Sequence, residues 1–172
     1  MNRALFAVLL GVLAAAAAHG AEAPLRAGAA AVDITPREFP LNLPGGFSAN
    51  PAETVHDPLH ARALAFADGG VTVAVVVVDN LGVGRETADE ARALAQQRCG
   101  IVPTNVMVAA THTHSAPASG SREASGPSAT YHTNLVGGIA GAIERACAAL
   151  RPAQVGLGDR KSTRLNSSHV SQ

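Results

Sequence analysis

Hydrophobic and polar positions change period several times along this chain, and each change marks an element. Residues 27–36, AGAAAVDITP, read as a strand that Pro36 ends. Residues 36–58 show no period. They hold five prolines and the Gly45-Gly46 pair, and loops of this length usually carry function. Strict alternation returns in LHARALAFA, residues 59–67, the pattern of a half-buried strand. Asp68-Gly69-Gly70 is a hairpin turn signal. The run VTVAVVVVD, residues 71–79, is apolar at odd and even positions alike, which predicts a central strand covered on both faces.

A helix follows. Thr87 and Glu90 fit the Ser/Thr-x-x-Glu capping box. Ala88, Ala91, Leu94 and Ala95 form a narrow apolar face, and Gly100 supplies the stop. NVMVAA, residues 105–110, is the next buried strand, so residues 71–110 make a β-α-β unit with parallel strands and a right-handed crossover. The Ser/Gly/Pro-rich stretch 115–129 reads as a loop. Leu135, Ile139, Ala142, Ala146 and Ala149 mark a second helix, ended by Pro152, in which Gly137, Gly138 and Gly141 cost helix propensity but allow close packing. Residues 153–158 begin another strand. The expected fold class is α/β, a mixed sheet with a central β-α-β unit and flanking helices.

Composition narrows the function. Of 172 residues, 47% are hydrophobic and 15% charged, which suits a globular domain. Thirteen basic residues balance thirteen acidic ones, aromatics are 3% and Trp is absent, so neither a polyanion footprint nor base-stacking platforms are present; no nucleic-acid partner is expected. Residues 1–23 combine Arg3, an apolar core over 4–18 and small residues near positions 20 and 23. This reads as a cleaved secretory leader, which predicts a secreted or periplasmic protein with no membrane span after cleavage. Residues 159–172 break from the Ala/Val/Gly-rich character before them. DRKSTRLNSSH looks like an in-frame translation of a sequencing-adapter oligonucleotide, so the natural sequence is expected to end near Gly158 and His169 is not counted as a ligand. Residues 24–158 are then the one domain. Cys99 and Cys147 read as two small buried thiols on helix faces, with pairing open in an oxidising compartment.

Candidate chemistry sits at the end of the β-α-β unit. Parallel strands place their C-terminal ends on one edge, where open α/β sheets bind ligands. That edge receives Asp79-Asn80 from the first strand and Thr111-His112-Thr113-His114 from the second. In extended backbone His112 and His114 point to one face and can approach one ion. The alternative is a pair of strand-end histidines hydrogen-bonded to a neighbouring carboxylate. Asp79 either orients a histidine or is a plain strand-end carboxylate. His56 and His60 read as solvated loop histidines, Arg62 as half of an ion pair, Ser115 as a loop-capping hydroxyl without a nucleophile elbow, and His132 as structural. Metallo-β-lactamase-like enzymes require a further Asp-His after the pair, where Ser115 and Ala116 stand. Barrel amidohydrolases carry the pair on their first strand, and here several strands precede it.

AAAVDITP, PGGF, HDPLHARALAF, VAVVVVDNLGV and NVMVAATHTHSAP occur in the order seen at the N-terminus of the neutral/alkaline, non-lysosomal ceramidases. The chain resembles that family from about residue 27 to 158. The resemblance implies the incomplete N-terminal portion of a larger catalytic domain, belonging to a secreted Zn²⁺ amidase that hydrolyses the N-acyl bond of ceramide. It implies His112 as a zinc ligand, with His114 and Asp79 lining the site. It places the other ligands (a His, a Glu and a Tyr) and the catalytic serine beyond residue 158. Its substrate would be ceramide or another lipid amide, met at a membrane surface. Where the family shows His-Ser-Gly-Pro and more glycines, this chain has His-Ser-Ala-Pro-Ala-Ser, which restricts backbone near the substrate. A secreted non-catalytic binding module, or a metallohydrolase of another amide or ester, would share the scaffold.

Overall fold

The computed structural model describes residues 24–44, 48–120 and 125–158; the expected leader, the 159–172 tail and Gly45, Gly46 and Phe47 lie outside the described residues. The elements run β1 (Arg26–Asp33), β2 (Leu41–Asn42), β3 (Pro51–Ala52), β4 (His60–Asp68), β5 (Val71–Val78), α1 (Arg85–Cys99), a 3-10 turn (Pro103–Asn105), β6 (Val106–Ala110), α2 (Pro127–Ala148) and β7 (Arg151–Pro152). Five strands form one mixed sheet in the order β6-β5-β4-β1-β7. β5 and β6 are parallel, as the β-α-β reading requires, and the other pairs are antiparallel. β2 and β3 form a separate two-residue ladder inside the proline-rich stretch. The α/β class with a mixed sheet is thus the fold.

Local chemistry explains the sharpest boundaries. Gly69 and Gly70 both adopt positive φ, 52° and 86°, as a type I′ turn demands, and Asp68 pairs directly with Val71 across it. Gly100 caps α1 in the left-handed region and returns its N–H to the Gln96 carbonyl. The other end of α1 departs from expectation. The helix starts at Arg85 behind Gly84 with no side-chain cap, so Thr87 is its third residue and is buried. Glu90, rather than closing a capping box, turns to His132 on α2. α2 itself begins at Pro127, inside the stretch expected to be loop, because proline suits the first helical turn, where no amide donor is needed. The final strand falls on Arg151–Pro152 instead of on 153–158, and only Ala153 adds a ladder bond, to the Leu25 carbonyl.

The core lies on one face of the sheet. α2 packs on β1, β4 and β5, and α1 packs on α2. The sheet offers Ala61, Ala63 and Ala65 from β4 and Ala74, Val76 and Val78 from β5. These small side chains let Leu135, Ile139, Ala142 and Ile143 of α2 come down close to the backbone. The expectation that β5 is covered on both faces does not hold among the described residues. Ala74, Val76 and Val78 are buried, but Val71, Val73 and Val77 are exposed. Register extends this bare face across four strands: Ala29 opposes Leu64, Leu64 opposes Val75, and Val75 opposes Met107. Leu64 and Met107 are 49% and 56% exposed, so the row is a contiguous apolar surface rather than scattered residues.

Such a surface is expected to drive self-association. Replacing Leu64, Val73 and Met107 by Thr keeps β-propensity while adding hydroxyls, and touches no fully buried side chain. The triple variant is expected to stay monodisperse by light scattering at about tenfold higher concentration, with thermal stability changed by under about 1 kcal/mol. Equal aggregation of variant and parent would show that this face is not the sticky one.

Candidate functional site

The edge formed by the C-terminal ends of β5 and β6, the start of β4 and the end of β1 collects polar groups from four strands. Asp79 follows β5 directly. Its amide donates to the His60 carbonyl at 2.9 Å, and its Oδ2 accepts from the His60 amide at 3.0 Å and from Arg62 at 2.6 Å. Arg62 also donates to His60 Nδ1 at 3.3 Å. Arg62 is therefore half of an ion pair, as expected. His60 is not a free loop histidine but the half-buried first residue of β4, in register opposite Asp33. The Thr35 hydroxyl and amide hold the Asp33 carboxyl below its ordinary pKa, the amide bond measuring 2.7 Å, with His60 and Arg37 adding smaller attractions. Because the folded-state value is the lower one, what Asp33 contributes to stability is present above the ordinary carboxylate range and fades as pH falls through it.

His112 and His114 lie just past β6. The structure brings their rings together, centroids 5.3 Å apart and edge to face at 85°. The route differs from simple extended alternation, because His112 adopts φ 62°, in the left-handed region that costs an ordinary residue about 1 kcal/mol. Its Nδ1 is 2.8 Å from the Leu81 carbonyl. A carbonyl only accepts, so the ring proton sits on Nδ1 and the Nε2 lone pair is left for another partner. Asp79 makes none of these contacts. The group that orients the His112 ring is a backbone oxygen.

Leu81 is itself held. The Leu81 amide donates to Asn80 Oδ1 at 2.8 Å, and Asn80 Nδ2 donates to the Tyr131 hydroxyl at 3.4 Å. Asn80 is completely buried and Tyr131 nearly so, and burial pushes the phenol well above its usual pKa. A fixed path thus runs from α2 through Tyr131, Asn80 and Leu81 to the imidazole. Sequence reading placed Asn80 at this edge but missed Tyr131. Its only signal was being the sole tyrosine in a chain poor in aromatics.

Beside the histidines, a cleft of about 470 Å³ opens between the proline-rich stretch and the loop after β6. Phe39, Leu43 and Leu59 give it apolar walls, while Thr113 and Ser115 supply hydroxyl-bearing residues from the His112–His114 segment. His56 and Asp57 stand at the mouth, fully in solvent. The 2.9 Å bond to Asp57 raises the His56 pKa. His132 lies apart from this edge. It is a buried residue of α2, held between the Ser119 carbonyl and Glu90, each at 3.2 Å, a structural role. Among the described residues no three His, Cys, Asp or Glu side chains converge as a metal cage. The donor chemistry still fits a single zinc ligand at His112, since a neutral imidazole with its Nδ1 proton fixed is the form that coordinates through Nε2. No described helix is long and apolar enough to cross a membrane.

Fold and edge together define a partial ceramidase-like α/β domain. Two solved structures carry that statement. The chain matches the crystal structure of neutral ceramidase from Pseudomonas aeruginosa with TM-score 0.66 and 28% identity, over 75% of this chain and 22% of that one. It matches a ceramidase complexed with C2 over the same shares, with TM-score 0.62 and 28% identity. The chain therefore spans about a fifth of the length of these structures. No protein-family model and no curated protein matches it. The resemblance first carried by the sequence motifs is upheld at the level of the fold.

Proposed function

We propose that this chain is the N-terminal part of a secreted or periplasmic zinc-dependent amidohydrolase that cleaves the N-acyl bond of ceramide or a related lipid amide. The supporting observation is His112, its Nδ1 held by a carbonyl and its Nε2 without a partner among the described residues, at the C-terminal edge of a ceramidase-like sheet. His112 would hold the metal, with His114 stacked edge-on beside it. Zinc, when bound, supplies Lewis acidity toward an amide carbonyl and toward water. The chain's own residues do the rest. Leu81 fixes the ring proton on Nδ1, and the Asn80–Tyr131 pair keeps Leu81 in place. Arg62 pairs with Asp79, so that this carboxylate does not face the edge alone. The cleft beside Thr113 and Ser115 is wide enough for a hydrocarbon tail along Phe39, Leu43 and Leu59. The bare row of Leu64, Val75 and Met107 fits the same reading, being a surface that the remainder of a larger catalytic domain would cover.

One imidazole, or two, makes a weak site. Calorimetry of the chain with zinc is expected to give one site with Kd in the micromolar range or weaker. Both His112→Ala and His112→Gly should abolish it. The two variants should differ in stability, Gly exceeding Ala by about 1 kcal/mol because only Gly accepts φ 62° without strain. Sub-micromolar zinc at a single site would sink the idea of an incomplete ligand set. Zinc affinity unchanged by His112→Ala would remove His112 from it. The substrate class is tested on a protein extended to full catalytic length, by comparing turnover of ceramide with that of short N-acyl amides.

A further inference from the structure

We infer that Cys99 and Cys147 are a disulfide site, whose oxidation clamps the C-terminal ends of α1 and α2 to one another. The argument is one of placement and does not depend on the proposed function. Cys99 is the last residue of α1, and Cys147 the last but one of α2. The two helices pack against each other on the same face of the sheet. Two residues 48 positions apart (147 − 99) therefore arrive at the same place. Both line one cleft of about 390 Å³, together with Gly100, Ile101 and Leu150. Both are half-buried and unoxidised, so the thiols are ordered by packing yet open to a small reagent. Cys99 is close enough to Cys147 to perturb its thiol, and the Cys99 S–H donates to the Ala95 carbonyl at 3.2 Å. The chain has no other cysteine, so no competing intramolecular pairing exists.

The chemistry has a preferred order. Burial first, then the neighbouring Cys99, pushes the Cys147 thiol up to about 11. Cys147 is therefore a poor source of thiolate at neutral pH and enters second. The Cys99 thiolate displaces one thiolate from a low-molecular-weight disulfide such as oxidised glutathione, forming a mixed disulfide. Cys147 then gives its proton to water, attacks the Cys99 sulfur and expels the second thiolate. Overall, two S–H bonds are lost and one S–S bond forms. The two electrons and two protons leave with the external disulfide, which becomes two small thiols. The closed loop contains β6, His112, His114 and most of α2, so the bond would tie the segment bearing the histidine pair to α1 at its far end.

The full chain is equilibrated in mixtures of oxidised and reduced glutathione, native or in urea. Each sample is then quenched with acid, alkylated in denaturant and weighed by mass spectrometry. The native chain is expected to be free of alkylation at glutathione ratios where the urea-unfolded chain takes two alkyl groups. The midpoints should differ by about 10³-fold, the factor the closure of a loop of this size implies. The oxidised chain should melt on the order of 10 °C above the reduced one. Cys99→Ser and Cys147→Ser should melt like the reduced parent, whatever the glutathione ratio. Native and unfolded chains that oxidise at the same ratio would overturn the inference. So would oxidation that yields only intermolecular dimers, or an oxidised chain that melts lower than the reduced one.

Discussion

Gly28→Ala is expected to destabilise the domain by about 3 kcal/mol or more, a fall in melting temperature of roughly 10–20 °C. Gly28 lies on the helix-facing side of β1, where the end of α2 crosses it. A Cβ there collides with the carbonyl oxygen of Ala146 and comes within 2.9 Å of backbone atoms of Ala149 and Leu150. These are main-chain atoms at the last turn of a helix, so no rotamer change gives relief. Either α2 lifts from the sheet or β1 gives up its pairing with β4. Two other glycines set the scale. At Gly138 an added Cβ meets Ile34 Cγ2, the end of a side chain that can yield at some cost, so Gly138→Ala should be intermediate. At Gly137 it meets nothing within 4 Å, and Gly137→Ala should gain about 0.5–1 kcal/mol from helix propensity. Thermal melts of the three variants check the order. Gly28→Ala and Gly137→Ala of equal stability would contradict the close crossing.

The three helix glycines show how far sequence reading reaches. In sequence all three are positions that allow close packing, but the structure uses Gly138 tightly, Gly141 loosely and Gly137 not at all. Which glycine faces the sheet depends on where α2 lands, and no local pattern states that. Gly28 could not be singled out for the same reason. By contrast, the Asp68-Gly69-Gly70 hairpin and the Gly100 cap were legible because each is decided within four residues, by backbone conformations only glycine takes easily. The parallel pairing of β5 and β6 was legible too, since a strand, a helix and a strand of these lengths join in few ways.

Where structure departs from sequence pattern, the causes are physical. An all-valine run has no polar face, so residues 71–78 look the same whether one side or both are covered. Thr87 and Glu90 have the spacing of a capping box, but burial of Thr87 and the pull of His132 on Glu90 outweigh a cap at the exposed end of α1. At the candidate site, topology was enough to bring Asp79, Asn80, His112 and His114 to one edge. It could not tell which contacts form there. Alternation suggested two imidazoles side by side on extended backbone. The chain instead turns through a left-handed His112 and orients that ring with a carbonyl, an atom every residue carries and no sequence marks.

That carbonyl makes Asn80 the residue through which fold and site are coupled. Asn80→Ala is expected to cost about 2–4 kcal/mol, because it leaves the part-buried Leu81 amide without its 2.8 Å acceptor, the buried Tyr131 hydroxyl without its donor, and a void where a fully buried side chain stood. Asn80→Asp separates the electrostatic part. The introduced carboxyl has the same shape and still accepts from Leu81, but it is fully enclosed, so burial raises its folded-state pKa above the unfolded value near 4. Above that unfolded value the unfolded chain gives up the proton more readily than the folded one. The variant should therefore lose stability as pH rises from about 4 to 7, whereas Asn80→Ala should show no such added slope. Both changes should loosen Leu81 and free His112. The readout is the hydrogen-bonded Nδ1 proton of His112, which should exchange with water faster in either variant, and zinc affinity should fall about tenfold, as for other residues that orient a ligand. Loss of stability with the His112 proton still protected would mean that Asn80 supports only the core, and that Leu81 is positioned by the turn after β5 alone.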